Sequence, residues 1–151
     1  MYDSKILAGK SIVVTGGGSG LGLAMASAFA AHGAKVTIAG RSREKLEAAL
    51  PGIAEGAREE GEADFFATDV RDAAQVESLV AHAAERFGKI DALVNNAAGN
   101  FLAFSEDLTP NGFDAVVRTV LYGSVNCALA VGRHLLARQA PGSILSIVTS
   151  Y

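Results

Sequence analysis

Short apolar runs alternate along this chain with longer stretches in which alanine and leucine recur at helical spacing. The short runs are rich in valine and isoleucine and are bounded by glycine or polar residues, which is typical of buried strands. The longer stretches predict helices between successive strands. Five strands are predicted, within residues 11–16, 34–40, 63–70, 89–99 and 142–150, and four helices, beginning near residues 20, 42, 72 and 109.

Residues with known preferences for helix ends mark the predicted boundaries. Gly33 is expected to cap the first helix, and Pro51 is expected to end the second. The third helix is expected to open on Asp72 and to close at Gly88. Thr109 and the proline after it predict the start of a long fourth helix, over about residues 110–139.

The predicted strands are apolar throughout rather than alternating, so both faces of their sheet must be covered. Helices between consecutive strands supply that cover in a parallel sheet with right-handed crossovers. The fold class is therefore α/β, a doubly wound parallel sheet of the Rossmann type, formed as one domain by residues 1–151. The fifth strand has no helix after it, so we expect the sheet to be incomplete at its C-terminal side and the chain to be the N-terminal part of a larger single-domain enzyme.

Composition narrows the classes of function. The net charge of -3 shows no basic balance, which argues against a nucleic-acid partner. No signal peptide and no run of about 18 apolar residues is evident, so we expect a cytoplasmic protein without a membrane partner. Cys127 is expected to be a buried structural thiol. His32, His82 and His134 are expected on solvated helix faces, and no spacing of ligand residues suggests a metal site.

A glycine-rich loop follows the first predicted strand. Gly16, Gly20 and Gly22 lie in a G-x-x-x-G-x-G spacing between a strand and a helix. Such a loop lets a pyrophosphate approach backbone amides at a helix N-terminus. No lysine follows in the manner of a P-loop, which disfavours ATP and GTP. The candidate cofactor-binding residues of this loop are Thr15, Gly16, Gly18, Ser19, Gly20, Leu21 and Gly22.

The end of the second strand bears on the choice of dinucleotide. NAD binders usually carry an acidic residue there, to hold the ribose 2′-hydroxyl. This chain has Gly40, Arg41 and Ser42 instead. Because an arginine can clamp a 2′-phosphate, Arg41 and Ser42 favour NADP(H) over NAD(H). The alternative is that Arg41 is only a solvated residue at a strand end.

Three motifs together, "TGGGSGLG", "TDV" and "NNAAG", resemble the short-chain dehydrogenase/reductase family over the whole chain. The resemblance implies that Asp69 binds the adenine amino group and that Val70 contacts the ring. It also implies that the turn after the fourth strand lines the adenosine ribose. The residues of that turn assigned to the cofactor are Asn95, Ala97 and Gly99.

Within the family, "NNAAGNF" and the ending "SIVTSY" are similar to the 2,4-dienoyl-CoA reductase branch. That likeness implies a catalytic pair formed by Tyr151 and Asn100, which would hydrogen-bond the thioester oxygen of the substrate. Val120 stands where ordinary carbonyl reductases of the family carry an asparagine. The sequence holds no Tyr-x-x-x-Lys motif, so residues 1–151 alone are expected to be inactive.

The resemblance implies an NADPH-dependent reductase of an unsaturated acyl-CoA, forming a homo-dimer or homo-tetramer through the long fourth helix. Two alternatives remain open at this point. One is a short-chain reductase of another carbonyl or hydroxyl substrate, such as a 3-oxoacyl thioester. The other is a dinucleotide-binding module without catalysis. Asn100 as a plain turn residue and Tyr151 as a half-buried strand-end aromatic are the corresponding alternatives for the site.

Overall fold

A computed structural model describes residues 5–58, 60–99 and 103–148. Within them the chain forms one parallel sheet in the order β3-β2-β1-β4-β5, with helices in the connections. The strands are β1 Ser11–Thr15, β2 Lys35–Gly40, β3 Glu62–Ala67, β4 Ala92–Asn95 and β5 Ser143–Ser146. The helices are α1 Gly20–Ala31, α2 Arg43–Gly56, α3 Ala73–Phe87, α4 Pro110–Val117 and α5 Gly123–Ala137, with a π-helical segment Arg118–Tyr122 and a 3-10 turn Ser105–Asp107.

The sheet is covered on both faces, as the apolar strands predict. One core cluster joins β1 and β4 to α3 and α5 through residues such as Val13 and Leu93. The other joins β1 and β2 to α1 and α2 through residues such as Val14 and Ile38. Strand order reverses between β1 and β4, and the crevice that forms at such a reversal lies beyond the carboxyl ends of the strands. The doubly wound Rossmann-type fold is thus confirmed.

Most of the predicted helix ends are confirmed. The Asp72 carboxylate accepts hydrogen bonds from the N–H groups of Ala74 and Gln75 at the start of α3, and Gly88 ends that helix with a φ of 78°. Thr109 Oγ1 accepts from the Gly112 N–H at the start of α4. These ends are predictable because each depends on neighbours within one helical turn.

The prediction for Pro51 is wrong, since α2 continues through it to Gly56. A proline has no N–H to donate to the carbonyl of Glu47, four residues earlier, and normally ends or kinks a helix. Here Ile53, two residues further on, is fully buried in the core. We attribute the persistence of the last turn to this burial, which offsets the lost hydrogen bond.

The predicted fourth helix forms, but its middle turn is widened into a π-helix. The Gly123 N–H donates to the carbonyl of Arg118, five residues earlier. Gly123 also packs directly on Val70, where a Cβ would come within 2.5 Å of Val70 Cγ2. Residues 110–137 therefore form one helical run with a local change of phase, which sequence periodicity does not reveal.

This helical run also corrects the expectation that no stretch is long enough to span a membrane. Among the described residues, Pro110–Ala137 is long and apolar enough to do so by length and composition, since an 18-residue window within it has a mean hydropathy of 1.4. One side of the run, including Cys127, Val131 and Leu135, is buried in the core with α3 and β4. That packing is what a helix covering a sheet requires.

The histidine side chains make more contacts with other residues than the sequence predicts. His82 Nε2 lies 2.9 Å from Asp64 Oδ2, and its ring lies against Phe66. His134 Nε2 accepts a hydrogen bond from the Ile90 N–H. The expectation of plainly solvated histidines is therefore wrong for these two, because their long helices pack against the edge and the amino end of the sheet.

Cys127 is buried as predicted, and desolvation raises the pKa of its thiol to about 12. Strand β5 is much less covered. All four of its residues are exposed, among them Ile144 and Leu145. Apolar side chains on the fifth strand therefore lie at the surface of the described part of the chain.

Candidate functional site

A cavity of about 460 Å³ opens beyond the carboxyl ends of β1, β2 and β3. This is the place that the predicted topology assigns to a ligand. Eight of the sequence-predicted cofactor residues line it: Gly16, Gly18, Ser19, Arg41, Ser42, Asp69, Val70 and Ala97.

The glycine loop is packed so tightly that side chains are excluded from parts of it. A Cβ on Gly22 would overlap the carbonyl oxygen of Gly16. A Cβ on Gly16, where φ is +68°, would lie 2.9 Å from Asn96 Nδ2. Asn96 in turn donates from Nδ2 to the Thr15 carbonyl at 3.0 Å. The loop is thus held against the turn that follows β4.

Two predicted cofactor residues lie beneath the cavity rather than on its wall. Thr15 is buried, and its Oγ1 accepts from the N–H groups of Asn96 and Ala97 at 3.0 Å each. Asn95 is buried as well, and its Nδ2 donates to the Ser124 carbonyl of α5 at 3.2 Å. The Thr15 side chain therefore joins the end of β1 to the turn after β4, and the Asn95 side chain joins the end of β4 to α5.

The N-terminus of α1 points at the cavity with its first amides free of side-chain caps. Ser19, the N-cap residue, makes no side-chain hydrogen bond to the helix, whereas α2, α3 and α4 are capped by Ser42, Asp72 and Thr109. Gly20, at a φ of +54°, has open space where a Cβ would lie. Uncapped amides at a helix N-terminus attract anions, so this end suits a phosphate.

A cationic rim lies at the end of β2. Arg41 and Lys45 line the cavity, and neither has an ion-pair partner within the described residues. Arg43 differs, since its Nη1 lies 2.9 Å from Glu47 Oε1 and its guanidinium sits over the Phe65 ring. The rim therefore offers a ligand two positive charges that are in no ion pair among the described residues.

The Asp69 carboxylate is held by Arg71. Arg71 Nε lies 2.9 Å from Oδ1 and 3.0 Å from Oδ2, and the Arg71 backbone N–H donates to Oδ1 as well. The side-chain hydrogen bond from Arg71 is the main reason that the pKa of Asp69 lies below its usual value. An ionised carboxylate is an acceptor only, so Asp69 is ready to accept from an amino group.

Sequence reasoning missed several residues of the cavity. Lys45 lies in the first turn of α2, four residues after Arg41, so its charge close to the strand end was an available signal. Thr119 lies on the π-helical segment and reaches the cavity across from Gly99. Nothing in the sequence marks Thr119, because its position depends on how the long helix crosses the sheet.

The remaining predicted residues are elsewhere. Leu21 is 69% exposed at the start of α1. Asn100 and Tyr151, the expected catalytic pair, lie outside the described residues, so their role stays a prediction. In the described part of the chain no group of histidine, cysteine and carboxylate residues is arranged to hold a metal ion.

Comparisons with known proteins agree with this geometry. The family model described as short chain dehydrogenase matches residues 10–151. A probable 2,4-dienoyl-CoA reductase of Bacillus subtilis (strain 168) is 40% identical over 142 residues, which cover 94% of this chain and 55% of that protein. D-threitol dehydrogenase of Mycolicibacterium smegmatis is 38% identical over 143 residues, which cover 95% of this chain and 54% of that protein.

A solved structure is similar as well. The crystal structure of a short chain dehydrogenase from Bacillus anthracis matches with a TM-score of 0.86 and 39% identity, covering 93% of this chain and 57% of that one. This chain spans about half the length of the relatives it matches. Its sheet order, its glycine loop and the match over nearly all of its residues lead to one conclusion: the chain belongs to the short-chain dehydrogenase family.

Proposed function

We propose that this chain forms the NADP(H)-binding part of a reductase that acts on an unsaturated acyl-CoA thioester, in the manner of a 2,4-dienoyl-CoA reductase. Members of the family use nicotinamide dinucleotides, and the cavity fits such a cofactor. The observation that carries the choice of NADP(H) is the pair of cations beside the glycine loop, Arg41 and Lys45, which are in no ion pair among the described residues.

The fit can be followed from the pyrophosphate to the adenine. The open amides at the start of α1 and the bare surface at Gly20 suit a pyrophosphate. Asp69, ionised and at the cavity wall, suits the adenine amino group. Ala97 presents a small surface against which a ribose can lie. The pyrophosphate, the adenine amino group and one ribose thus each have a partner of matching chemistry.

The 2′-phosphate is assigned to the rim at the end of β2. Arg41 can donate in a bidentate manner, and Lys45 adds a second positive charge. Ser42 Oγ already accepts from the Lys45 N–H at 3.3 Å, so its hydroxyl hydrogen is free to be donated to a phosphate oxygen. A carboxylate directly at the strand end would repel the phosphate, and residues 40–42 contain none.

Bound NADPH would supply the hydride for reduction of a conjugated dienoyl thioester. The residues of this chain that would act on the substrate are Asn100 and Tyr151, assigned by the family resemblance. The Tyr151 hydroxyl and the Asn100 amide would donate hydrogen bonds to the thioester oxygen, where negative charge develops as hydride adds to the distal carbon. Removing one such donor would cost about 2.7–4 kcal/mol of transition-state stabilisation.

One relative favours a second candidate function. The D-threitol dehydrogenase of M. smegmatis is nearly as similar to this chain as the B. subtilis relative is. An oxidoreductase of a hydroxyl or carbonyl substrate is therefore the alternative to a dienoyl-CoA reductase. Both candidates share the dinucleotide site and differ in the residues around the substrate.

Turnover by the natural full-length protein separates the candidates. We expect NADPH oxidation with 2,4-hexadienoyl-CoA and no comparable rate with 3-oxoacyl-CoA, nor with D-threitol and NADP⁺. Faster turnover of either of the last two would favour the alternative. NADPH binding without turnover of any substrate would support a non-catalytic module. The 151-residue chain by itself is expected to bind NADPH without turnover, and turnover by it would contradict that expectation.

A further inference from the structure

We propose that Asn126 of α5 is a positioning residue for the Asp69–Val70 turn, and that it thereby sets how selectively the cavity recognises the amino group of adenine. The inference rests on the proposed dinucleotide function. It concerns a residue outside the cavity wall, about two helical turns from Thr119 along the same helical run.

The central observation is a hydrogen bond between distant parts of the chain. Asn126 Nδ2 donates to the Val70 carbonyl at 3.0 Å. Val70 is only 6% exposed and belongs to the core cluster that includes Cys127 of α5. A carbonyl at such a place loses water on folding and needs a protein donor. Asn126 supplies that donor from the neighbouring helix.

Helix α5 can reach this carbonyl because it approaches the turn at Gly123. A side chain at residue 123 would collide with Val70, since its Cβ would come within 2.5 Å of Val70 Cγ2. The π-helical segment ends directly before Gly123 and changes the phase of the helix. Gly123 and Asn126, three residues apart, therefore lie on one face of α5, and both contact Val70.

The same turn is also held by α3 and its cap residue. The Asp69 N–H donates to Gln75 Oε1 at 2.9 Å, and the Asp69 carbonyl accepts from the Asp72 N–H at 3.0 Å. With the bond from Asn126, the turn is held by two neighbouring helices, α3 and α5. The direction of the Asp69 carboxylate relative to the cavity depends on both, because a side chain follows its backbone.

The consequence is specific to one part of the ligand. Asp69 is the acceptor assigned to the adenine amino group, whereas the 2′-phosphate and pyrophosphate are assigned to other elements. Loss of the Asn126 donor frees the Val70 carbonyl to turn away and displaces Asp69 with it. Recognition of the amino group then weakens more than binding of the rest of the dinucleotide.

The test compares NADPH with its deamino analogue, reduced nicotinamide hypoxanthine dinucleotide phosphate, which lacks the adenine amino group. Binding of each to the natural full-length protein is measured by calorimetry. We expect the unaltered chain to prefer NADPH by about tenfold or more, as for a hydrogen bond to a charged acceptor. Asn126→Ala should reduce this preference to about threefold or less. Arg133→Ala, an exposed change on the same helix, should retain the full preference.

Two further measurements distinguish the proposed effect of Asn126 from misfolding of the Asn126→Ala variant. Asn126→Asp keeps the size of the side chain but has no amide donor, and it should lose the preference as Asn126→Ala does. In the ¹⁵N-labelled unaltered chain, the Asn126 side-chain amide signal should shift more with NADPH than with the deamino analogue. Equal shifts with both ligands would contradict the coupling, whatever the variants do.

The outcomes separate the two proposals. If Asn126→Ala and Asn126→Asp weaken both ligands equally, the residue is merely structural and the inference is overturned. It is overturned too if the unaltered chain binds both ligands equally well, while the dinucleotide site then stands. If the unaltered chain binds neither, the proposed function fails and the inference fails with it.

Discussion

Three cations follow β2 within residues 41–45, and their surroundings differ. Arg43 is neutralised by Glu47 and lies over Phe65, while Arg41 and Lys45 face the cavity without an ion-pair partner among the described residues. Sequence alone marks Arg41 but treats the other two as equivalent. Only the structure distinguishes them, because Arg43 pairs with Glu47 one turn further along α2, whereas Lys45 lines the cavity.

Arg41→Ala should weaken NADPH binding by about tenfold or more and NADH binding by less than about twofold, because only NADPH carries the 2′-phosphate. Lys45→Ala should act in the same direction with a smaller effect. Arg43→Ala is the matched control and should change neither affinity by more than about twofold. Fluorescence titration with both dinucleotides measures these values, and equal losses of NADPH and NADH affinity in Arg41→Ala would contradict the assignment of the 2′-phosphate.

Gly22→Ala should disrupt the glycine loop, because its Cβ would overlap the Gly16 carbonyl oxygen. We expect the free energy of unfolding to fall by about 1–3 kcal/mol and NADPH binding to be lost. Gly52→Ala is the control, since its Cβ would meet no atom within 4 Å and the residue lies exposed in α2. That change should stabilise the chain by about 0.5–1 kcal/mol in urea unfolding. An equally stable Gly22→Ala chain that binds NADPH would show that the loop tolerates a side chain.

At the scale of elements, helix ends and strand positions could be predicted, but the interruptions of helices could not. The caps at Asp72 and Thr109 depend on residues within one turn, so sequence reveals them. The continuation of α2 past Pro51 depends on burial of Ile53 against the sheet. The π-helical segment accompanies the contact of Gly123 with Val70, which lies far away along the chain. Local patterns carry no information on such contacts.

Hydrogen bonds to the Ile90 backbone also join the C-terminal end of α5 to the segment just before β4. The Ile90 N–H donates to His134 Nε2 and its carbonyl accepts from Arg138 Nη1, both at 3.3 Å. Desolvation, and then the charge of Arg138, lowers the pKa of His134 below 6.5. His134 Nε2 can accept the hydrogen bond from the Ile90 N–H only when Nε2 carries no proton. The hydrogen bond and the lowered pKa therefore both indicate a neutral imidazole at His134 in the folded chain.

This neutral ring predicts how stability changes with pH. As pH falls through 6.5, the unfolded chain takes up a proton at His134 before the folded chain does, so stability is lost on the acid side. His134→Gln keeps an acceptor for the Ile90 N–H but does not titrate. Its free energy of unfolding should therefore fall less than that of the unaltered chain between about pH 7 and pH 5, with similar values for both near pH 8. Identical slopes in urea unfolding across that range would contradict the prediction.

At the scale of the whole molecule, apolar side chains remain at the surface of the long helix. Leu121, Val125 and Leu129 are spaced by four residues and are 44% to 58% exposed. Members of this family are commonly oligomeric, and the family resemblance implies association through this helix. The predicted cytoplasmic location stays a prediction.

The expected catalytic pair, Asn100 and Tyr151, could be named only by resemblance to a family. Local sequence patterns predict where a strand ends, but they do not predict which reaction the residues at that end catalyse.

The exposed stripe predicts self-association of the chain. Leu129→Glu places a charge in the middle of the surface and should weaken association by about tenfold or more in sedimentation velocity. Ile6→Glu introduces the same charge at another exposed apolar residue and should leave association unchanged. If Leu129→Glu associates as strongly as the unaltered chain, the contact lies on a different surface.

The cavity beside the glycine loop is expected to bind a dinucleotide and to prefer the phosphorylated form. Calorimetric titration of the natural full-length protein with NADPH and with NADH tests this expectation. We expect both to bind at one site, with NADPH tighter by about tenfold or more because of the charges of Arg41 and Lys45. Equal affinities, tighter binding of NADH, or no binding of either dinucleotide would contradict the account.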